Sequence, residues 1–491
     1  MTAIDDKYTE LGGPGGWLGS PTGPESTPPD GVGRFRHYAN GSIYWSPATG
    51  AHEVHGAIRG LWSQLGWERS FLGYPATDES ATPDGIGRFN HFQGGSIYWT
   101  PTTGAREVHG AIRGLWSQLG WERSFLGYPL TNETATPDGS GRFNHFQGGS
   151  IYGTAGTGAH EVHGAIRRLW SQLGWERSFL GYPTTDESRT PDGIGRFNHF
   201  QGGSIYWTPT TGAHEVHGAI RGLWSQLGWE RSFLGYPLTN ESKTPDGIGR
   251  FNHFQGGSIY WTPTTGAHEV HGAIRGRWSQ LGWERSFLGY PISNEMGSAD
   301  GATRFSLFQH GAILWSAAGG AVAVRELIRL HVKVLTTPTV PITTSLAEMQ
   351  TVYAAAEIGV ICASIETLNL PVLNDCDVGE CRRGQTTAEQ NQLFGNRNNV
   401  GARDVVVYFV RSTNPPLNGC AAHPNNRPGA IVAQGATRWT LGHEVGHVLG
   451  LNHVNDNNRL MTGNGTANIT NPPPDLIASE ITTMRNSNLT V

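Results

Sequence analysis

The sequence predicts a multidomain chain. Residues 1–322 read as an N-terminal repeat domain of six β-hairpin/helix units, forming a propeller-like ring or an array, and residues 326–491 as a C-terminal α/β domain with a mixed sheet. Three observations predict this. A 54-residue block recurs, and such periods mark stacked supersecondary units. With 69 Gly and 17 Trp among 491 residues, much of the chain is turn-rich and aromatic rather than a helical bundle. Beyond the last repeat the pattern changes to apolar strands interleaved with helical stretches.

The repeat is marked by LGxP at Leu18, Leu72, Leu126, Leu180, Leu234 and Leu288. Between copies the order is constant: a Pro-Asp-Gly turn, GRFNHF, a Gly-Gly turn, SIYW, TGA and EVHGAIRGLWSQLGWERSF. GRFNHF and SIYW are short alternating strands joined by hairpin glycines. EVH extends a third strand, and AIRGLWSQLG is a short amphipathic helix. IDDKYTEL before the first copy carries a helix cue. Every Trp except Trp439 lies in this region, so the cores are built from aromatics. One unit cannot bury its own apolar face, so neighbours must stack.

Leu-Gly-Tyr-Pro, Gly-Arg-Phe and Ile-Tyr-Trp around a Gly-rich turn resemble LGFP repeats over about two thirds of the chain. Tyr replaces the Phe of the name, and the first copy reads LGSP. The resemblance implies a surface protein of the actinobacterial kind, with cell-wall glycan as a partner of the repeats. Exposed aromatic faces can stack on sugars, and repetition adds avidity. Against that, most Trp side chains are buried, so many of these rings belong to the core.

HEVHG begins at His52, His160, His214 and His268, with Arg106 leading the equivalent copy. Its two histidines fall on opposite faces of a strand and do not converge on one ion. These copies read as structural. HEVGH at His443 differs by one glycine, which places His443 and His447 four apart on one face of a helix expected from about Thr437. Gly450 can end that helix in a sharp turn and bring His453 back as a third ligand. Three neutral imidazoles leave zinc an open position, and Glu444 sits where it can move a proton.

The stretch His443-Glu444-Val445-Gly446-His447-Val448-Leu449-Gly450-Leu451-Asn452-His453, with Met461 eight residues on, resembles the metzincin signature, with matrixin-like spacing. The resemblance implies a zinc metalloendopeptidase. His443, His447 and His453 are then its metal ligands, Glu444 its general base and Met461 the floor beneath the metal. Val454, Thr462 and Gly463 depart from the matrixin pattern, and no cysteine precedes the domain as a latency switch.

The remaining elements follow in order. SAAGGAVAV at 316–324 is a short linker. IRLHVKVL at 328–335 is a strand, PTVPITT at 338–344 a loop, and Ser345 with Glu348 forms a capping box opening a helix to about Ile358. GVICASIE and DVVVYFVR are strands, and residues 429–436 are the edge strand above the site, able to receive an extended peptide. Asp475 caps a final helix. Cys362, Cys376, Cys381 and Cys420 suggest two disulfides and an oxidising compartment; a four-thiolate zinc site is the competing reading.

A net charge of −5 without a basic block excludes an electrostatic nucleic-acid footprint, and no apolar run is long enough for membrane insertion. MTAIDDKYTELGG lacks the basic and apolar regions of a conventional signal peptide, so an extracellular or cell-surface location requires another export route or a trimmed precursor. The reading that emerges is a zinc-dependent endopeptidase acting on peptide or protein and held at a glycan surface. The alternatives are a glycan-binding repeat protein with a non-proteolytic metal domain, and an enzyme cutting wall peptide cross-links.

Overall fold

The computed structural model describes residues 1–490 and forms two compact units: Met1–Arg231 with Tyr236–Glu241, and Ser232–Gly235 with the chain from Ser242 onward. In the first unit each repeat carries its own antiparallel sheet. The second repeat shows the plan, with strands Arg88–His91, Gly95–Thr100 and Gly104–His109 leading into helix Gly110–Leu119. A two-residue strand, Ser80–Ala81, adds a fourth member that the sequence pattern does not reveal. The helix stops at Gly120, whose φ of 106° suits glycine, and a turn over Trp121–Arg123 follows. Ahead of the first repeat, helix Ala3–Glu10 is capped reciprocally by Thr2 and Asp5.

Within the first unit a repeat core borrows from the next. Trp116 is fully buried among Tyr98, Ile112 and Leu126, and its ring lies 5.3 Å from Phe146 of the following repeat. Burying an indole of this size contributes about 5 kcal/mol, so stacking is what makes a 54-residue unit stable. The tyrosine of LGYP adds a polar tie that phenylalanine could not make. Tyr128 Oη donates to Asp84 Oδ1, 2.7 Å away in the preceding Pro-Asp-Gly turn, and Tyr74–Asp30 and Tyr182–Asp138 repeat it.

In the second unit the last repeat passes directly into a five-stranded sheet. Residues 316–324 are not a linker: Gly320–Val324 pairs as a strand with Gly311–Ser316, and Arg325 alone separates it from β1, Glu326–Val334. The alternating Val and Ala side chains pack. Val324 is buried with Phe305, Leu314, Leu327 and Ile361, a core shared by repeat and sheet. Ala299 N–H donates to Cys362 O at 2.8 Å across the same junction.

The sheet comprises β1, β2 (Ile358–Thr367), β3 (Val405–Val410), β4 (Gly419–Cys420) and β5 (Gly429–Ala433), in the order β2-β1-β3-β5-β4. All pairs are parallel except β4 with β5. Residues 429–433 are therefore internal, and β4 takes the edge expected of them because the returning chain adds one more antiparallel pair. Val405, Val407 and Phe409 face the core with helices α1 (Ile342–Tyr353) and α2 (Thr440–Val448), while Val406, Tyr408 and Val410 face a second core. Helix α1 starts after Pro341, not at Ser345. Proline's fixed φ suits a helix start, the Ser345 N–H bonds Pro341 O, and Glu348 pairs with Arg438 instead of closing a capping box. Helix α3 (Ala478–Arg485) follows Ile477, while Asp475 pairs with Arg459 and does not cap it.

Candidate metal centre

Helix α2 begins three residues later than the spacing predicts, because the Thr437 side chain is turned onto Thr440 and Thr466. Tyr353 Oη donates to Gly442 O at 2.7 Å and holds the helix against α1. Gly446 is the residue that distinguishes HEVGH from HEVHG, and its lack of a side chain is required. A Cβ there would lie 2.7 Å from the sulfur of the fully buried Met461. The helix thus rests on that methionine. Gly450 has φ 106°; Leu451 N–H bonds Gly446 O at 3.0 Å, and the reversed chain delivers His453.

The three imidazoles meet at their Nε2 atoms. His447 lies 2.9 Å from His453 and 3.2 Å from His443, and His443 lies 3.2 Å from His453. Nδ1 of His443 is 2.7 Å from Leu460 O, and Nδ1 of His447 is 2.8 Å from Leu451 O. A carbonyl only accepts, so these Nδ1 atoms carry the protons and the two Nε2 atoms present bare lone pairs. Burial holds His443 neutral, down to about 4, and lowers His447 as well. Lone pairs this close repel unless a cation joins them. Tetrahedral zinc holds nitrogen ligands roughly 3.3 Å apart, so the donor set fits. Among the described residues it is the one His/Cys/Asp/Glu group whose ligand atoms so converge.

Glu444 faces the same cavity of about 620 Å³, which is also lined by Leu417, Asn418, Gly419, Ala422 and Arg383. Burial pushes its carboxyl up to about 8, within the range where a carboxyl exchanges protons near neutral pH. Gly419 makes room for it, since a Cβ there would lie 2.5 Å from Glu444 Oε1. Sequence reasoning missed Gly419, and also the carbonyls of Leu451 and Leu460 that orient the histidines. Only the placement of Gly419 beside Cys420 hinted at a fixed loop. Cys420 is joined to Cys381 at the cleft wall. The expected second disulfide is absent. Cys362 and Cys376 are free because they sit in cores on opposite faces of the sheet, and the same separation rules out a four-thiolate site.

The repeated HEVHG copies do not converge. His55 Nδ1 lies 2.9 Å from Glu53 and Nε2 3.1 Å from Glu79, so both ring nitrogens are taken by carboxylates. His52 bonds Thr49 O and Asp78. The LGFP repeat model matches residues 18–70, 72–124, 126–178, 180–232, 234–286 and 288–331. The chain belongs to the LGFP repeat family. No curated protein matches the chain. Solved structures that bear a weak likeness to this LGFP-repeat chain include an archaemetzincin and a metalloproteinase. Archaemetzincin from Methanopyrus kandleri is 18% identical over 32% of this chain and 93% of its own, with a TM-score of 0.24. Metalloproteinase-II from Bacteroides fragilis is 11% identical over 50% and 80%, with a TM-score of 0.25.

Proposed function

We propose that this LGFP-repeat chain is a zinc-dependent endopeptidase, with residues 326–491 as a metzincin-like catalytic domain and residues 1–322 holding it at a cell-wall or other glycan-bearing surface. The observation that carries the reading is the convergence of three imidazole Nε2 atoms beside a buried carboxyl in an open cleft. His443, His447 and His453 would hold the zinc. Once bound, the metal supplies Lewis acidity toward a scissile carbonyl and the attacking water. Glu444 takes the proton released by that water and passes it to the departing amine. Asn418, Gly419 and Ala421 line the cleft along the sheet edge, where the backbone of an extended peptide can lie as an added strand. Gly419 leaves space beside the Glu444 carboxylate, and Met461 supports the helix that carries it.

The Cys381–Cys420 disulfide fits an oxidising, extracellular setting. Among the described residues no helix is long and apolar enough to cross a membrane. The reading is tested by zinc content together with hydrolysis of casein and of wall-peptide fragments by wild type and Glu444→Ala. The expected result is one zinc per chain in both proteins, with hydrolysis lost in the variant; the preferred substrate separates protein cleavage from wall cross-link cleavage. One zinc with no hydrolysis of either substrate would leave a glycan-binding protein with a non-proteolytic metal domain.

A further inference from the structure

The repeats carry a second recurring cluster, built from residues other than those of the candidate metal centre, where an indole that packs on the core also meets a cation. In the second repeat, Arg113 Nε donates to Ser96 Oγ at 2.6 Å, and Ser96 Oγ lies 2.7 Å from His91 Nδ1. Arg113 Nη2 also approaches His91 Nδ1, at 3.5 Å. The guanidinium carbon stands 5.2 Å from the centre of the Trp121 ring, and the His91 ring stands 5.4 Å from it. Ser96 is fully buried, so its hydroxyl proton must find an acceptor, and His91 Nδ1 is the one beside it. His91 therefore carries its own proton on Nε2. What this cluster offers outward is donors only: the terminal N–H groups of Arg113 and the Nε2–H of His91, beside a half-buried indole.

No carboxylate pairs with Arg113 among the described residues, whereas Arg88 of the same repeat has Glu79 and His109 has Glu107 and Glu133. The guanidinium is half-buried and partly desolvated, which holds it below its usual range. A cation in that position is stabilised by an anion that the chain does not supply. The backbone adds a further sign. Trp121 has φ 57°, a left-handed conformation unusual for a bulky side chain, and its indole lies between Arg113 and the core rings of Trp116 and Tyr98. The arrangement recurs around Arg167, with Ser150 at 2.6 Å and Trp175 at 5.2 Å, and its members return at Arg59, Arg221 and Arg275. The sixth repeat lacks it, with Leu307 in the histidine position.

We infer that each of the first five repeats carries a subsite for the anionic group of an acidic glycan, in which the guanidinium and imidazole N–H groups bind a carboxylate or phosphate and the indole edge contacts the sugar. This deepens the reading that the repeats hold a glycan surface and rests on it. Several such subsites on one chain suit a polymer that carries many charges, and avidity multiplies weak single contacts. The net charge of −5 works against nonspecific attraction of polyanions, so binding must come from local sites.

The test measures binding of the full chain to immobilised polygalacturonate, to a glycerol-phosphate polymer and to neutral dextran, with wild type, the double variant Arg113→Gln/Arg167→Gln and the double variant Arg113→Lys/Arg167→Lys. The expected result is salt-sensitive binding to one or both acidic polymers and none to dextran. The Gln variant is expected to bind about tenfold more weakly, with the Lys variant in between. The carboxylate and phosphate polymers distinguish the two anion sources. A circular-dichroism melt of each variant separates lost binding from lost fold; should the Gln variant unfold, the Lys variant and competition by inorganic phosphate carry the decision. Binding to dextran equal to that of the acidic polymers, or Gln variants that bind like wild type, overturns the anion subsite while leaving glycan retention standing. No binding to any of the three polymers overturns both.

Discussion

HEVHG in the repeats and HEVGH at the candidate metal centre share four residue types in nearly one order, yet their histidines do opposite work. In the repeats the segment is a strand running into a helix, and His55 spends both ring nitrogens on carboxylates. At 443–447 the segment is a helix, and each of its histidines spends one nitrogen on a backbone carbonyl and keeps the other free. A carbonyl partner fixes the ring without supplying negative charge to compete with a metal. What makes a ligand is thus less the histidine than the group that holds its far side.

The comparison breaks most decisively at the ligands. His443→Ala is expected to lose bound zinc and all peptide hydrolysis, whereas His55→Ala keeps wild-type zinc content; elemental analysis of both proteins decides. In stability, Trp116→Ala should cost about 3–5 kcal/mol locally, because a fully buried indole shared between two repeats leaves a cavity. Denaturant melts followed by tryptophan fluorescence read the repeats almost exclusively, with Trp439 the one exception. Reducing Cys381–Cys420, which closes a separation of 39 residues, is expected to destabilise the sheet around the cleft by up to about 4 kcal/mol, seen as loss of hydrolysis at a lower temperature. Gly446→Ala pushes a methyl against Met461 and should cost about 1–3 kcal/mol, with zinc affinity reduced more than the melting midpoint of the repeats.

The smallest effect is a pH dependence confined to the repeats. Burial lowers His217, but hydrogen bonds and charge from Glu215 and Glu241 outweigh it and raise the group from 6.5 to about 9. Its stabilisation is complete below 6.5 and is lost as pH climbs toward 9. His199, buried beside Arg221, is held down to about 4. Its contribution is complete above 6.5 and is lost as pH falls toward 4. The repeat melting midpoint should therefore peak near pH 6.5, and His217→Gln should reduce the alkaline limb, to which His163 and His271 also contribute, without moving the acid limb.

The repeat plan and the four-residue spacing of the histidines were legible because both rest on local periodicity. The strand order was less so. A two-residue edge strand such as Gly419–Cys420 has no pattern of its own and is defined by its partner β5. Capping was misjudged at Ser345 and Asp475, where Pro341 starts the helix earlier and Arg459 takes the Asp475 carboxylate. The cysteines misled for a related reason: an even count says nothing about which face of a sheet each thiol occupies. Gly419 escaped notice because its importance lies in a side chain 25 residues away, Glu444.

The passage from Val324 through Arg325 into β1 leaves no slack between the last repeat and the five-stranded sheet. For the proposed enzyme this sets a working radius. A flexible tether would let the cleft sweep a volume and trade local concentration for reach, whereas a spliced junction fixes the cleft to the last repeat at one height and one angle. Such an enzyme trims only what stands at that height, and adding or losing whole repeats would change the grip without altering the cut.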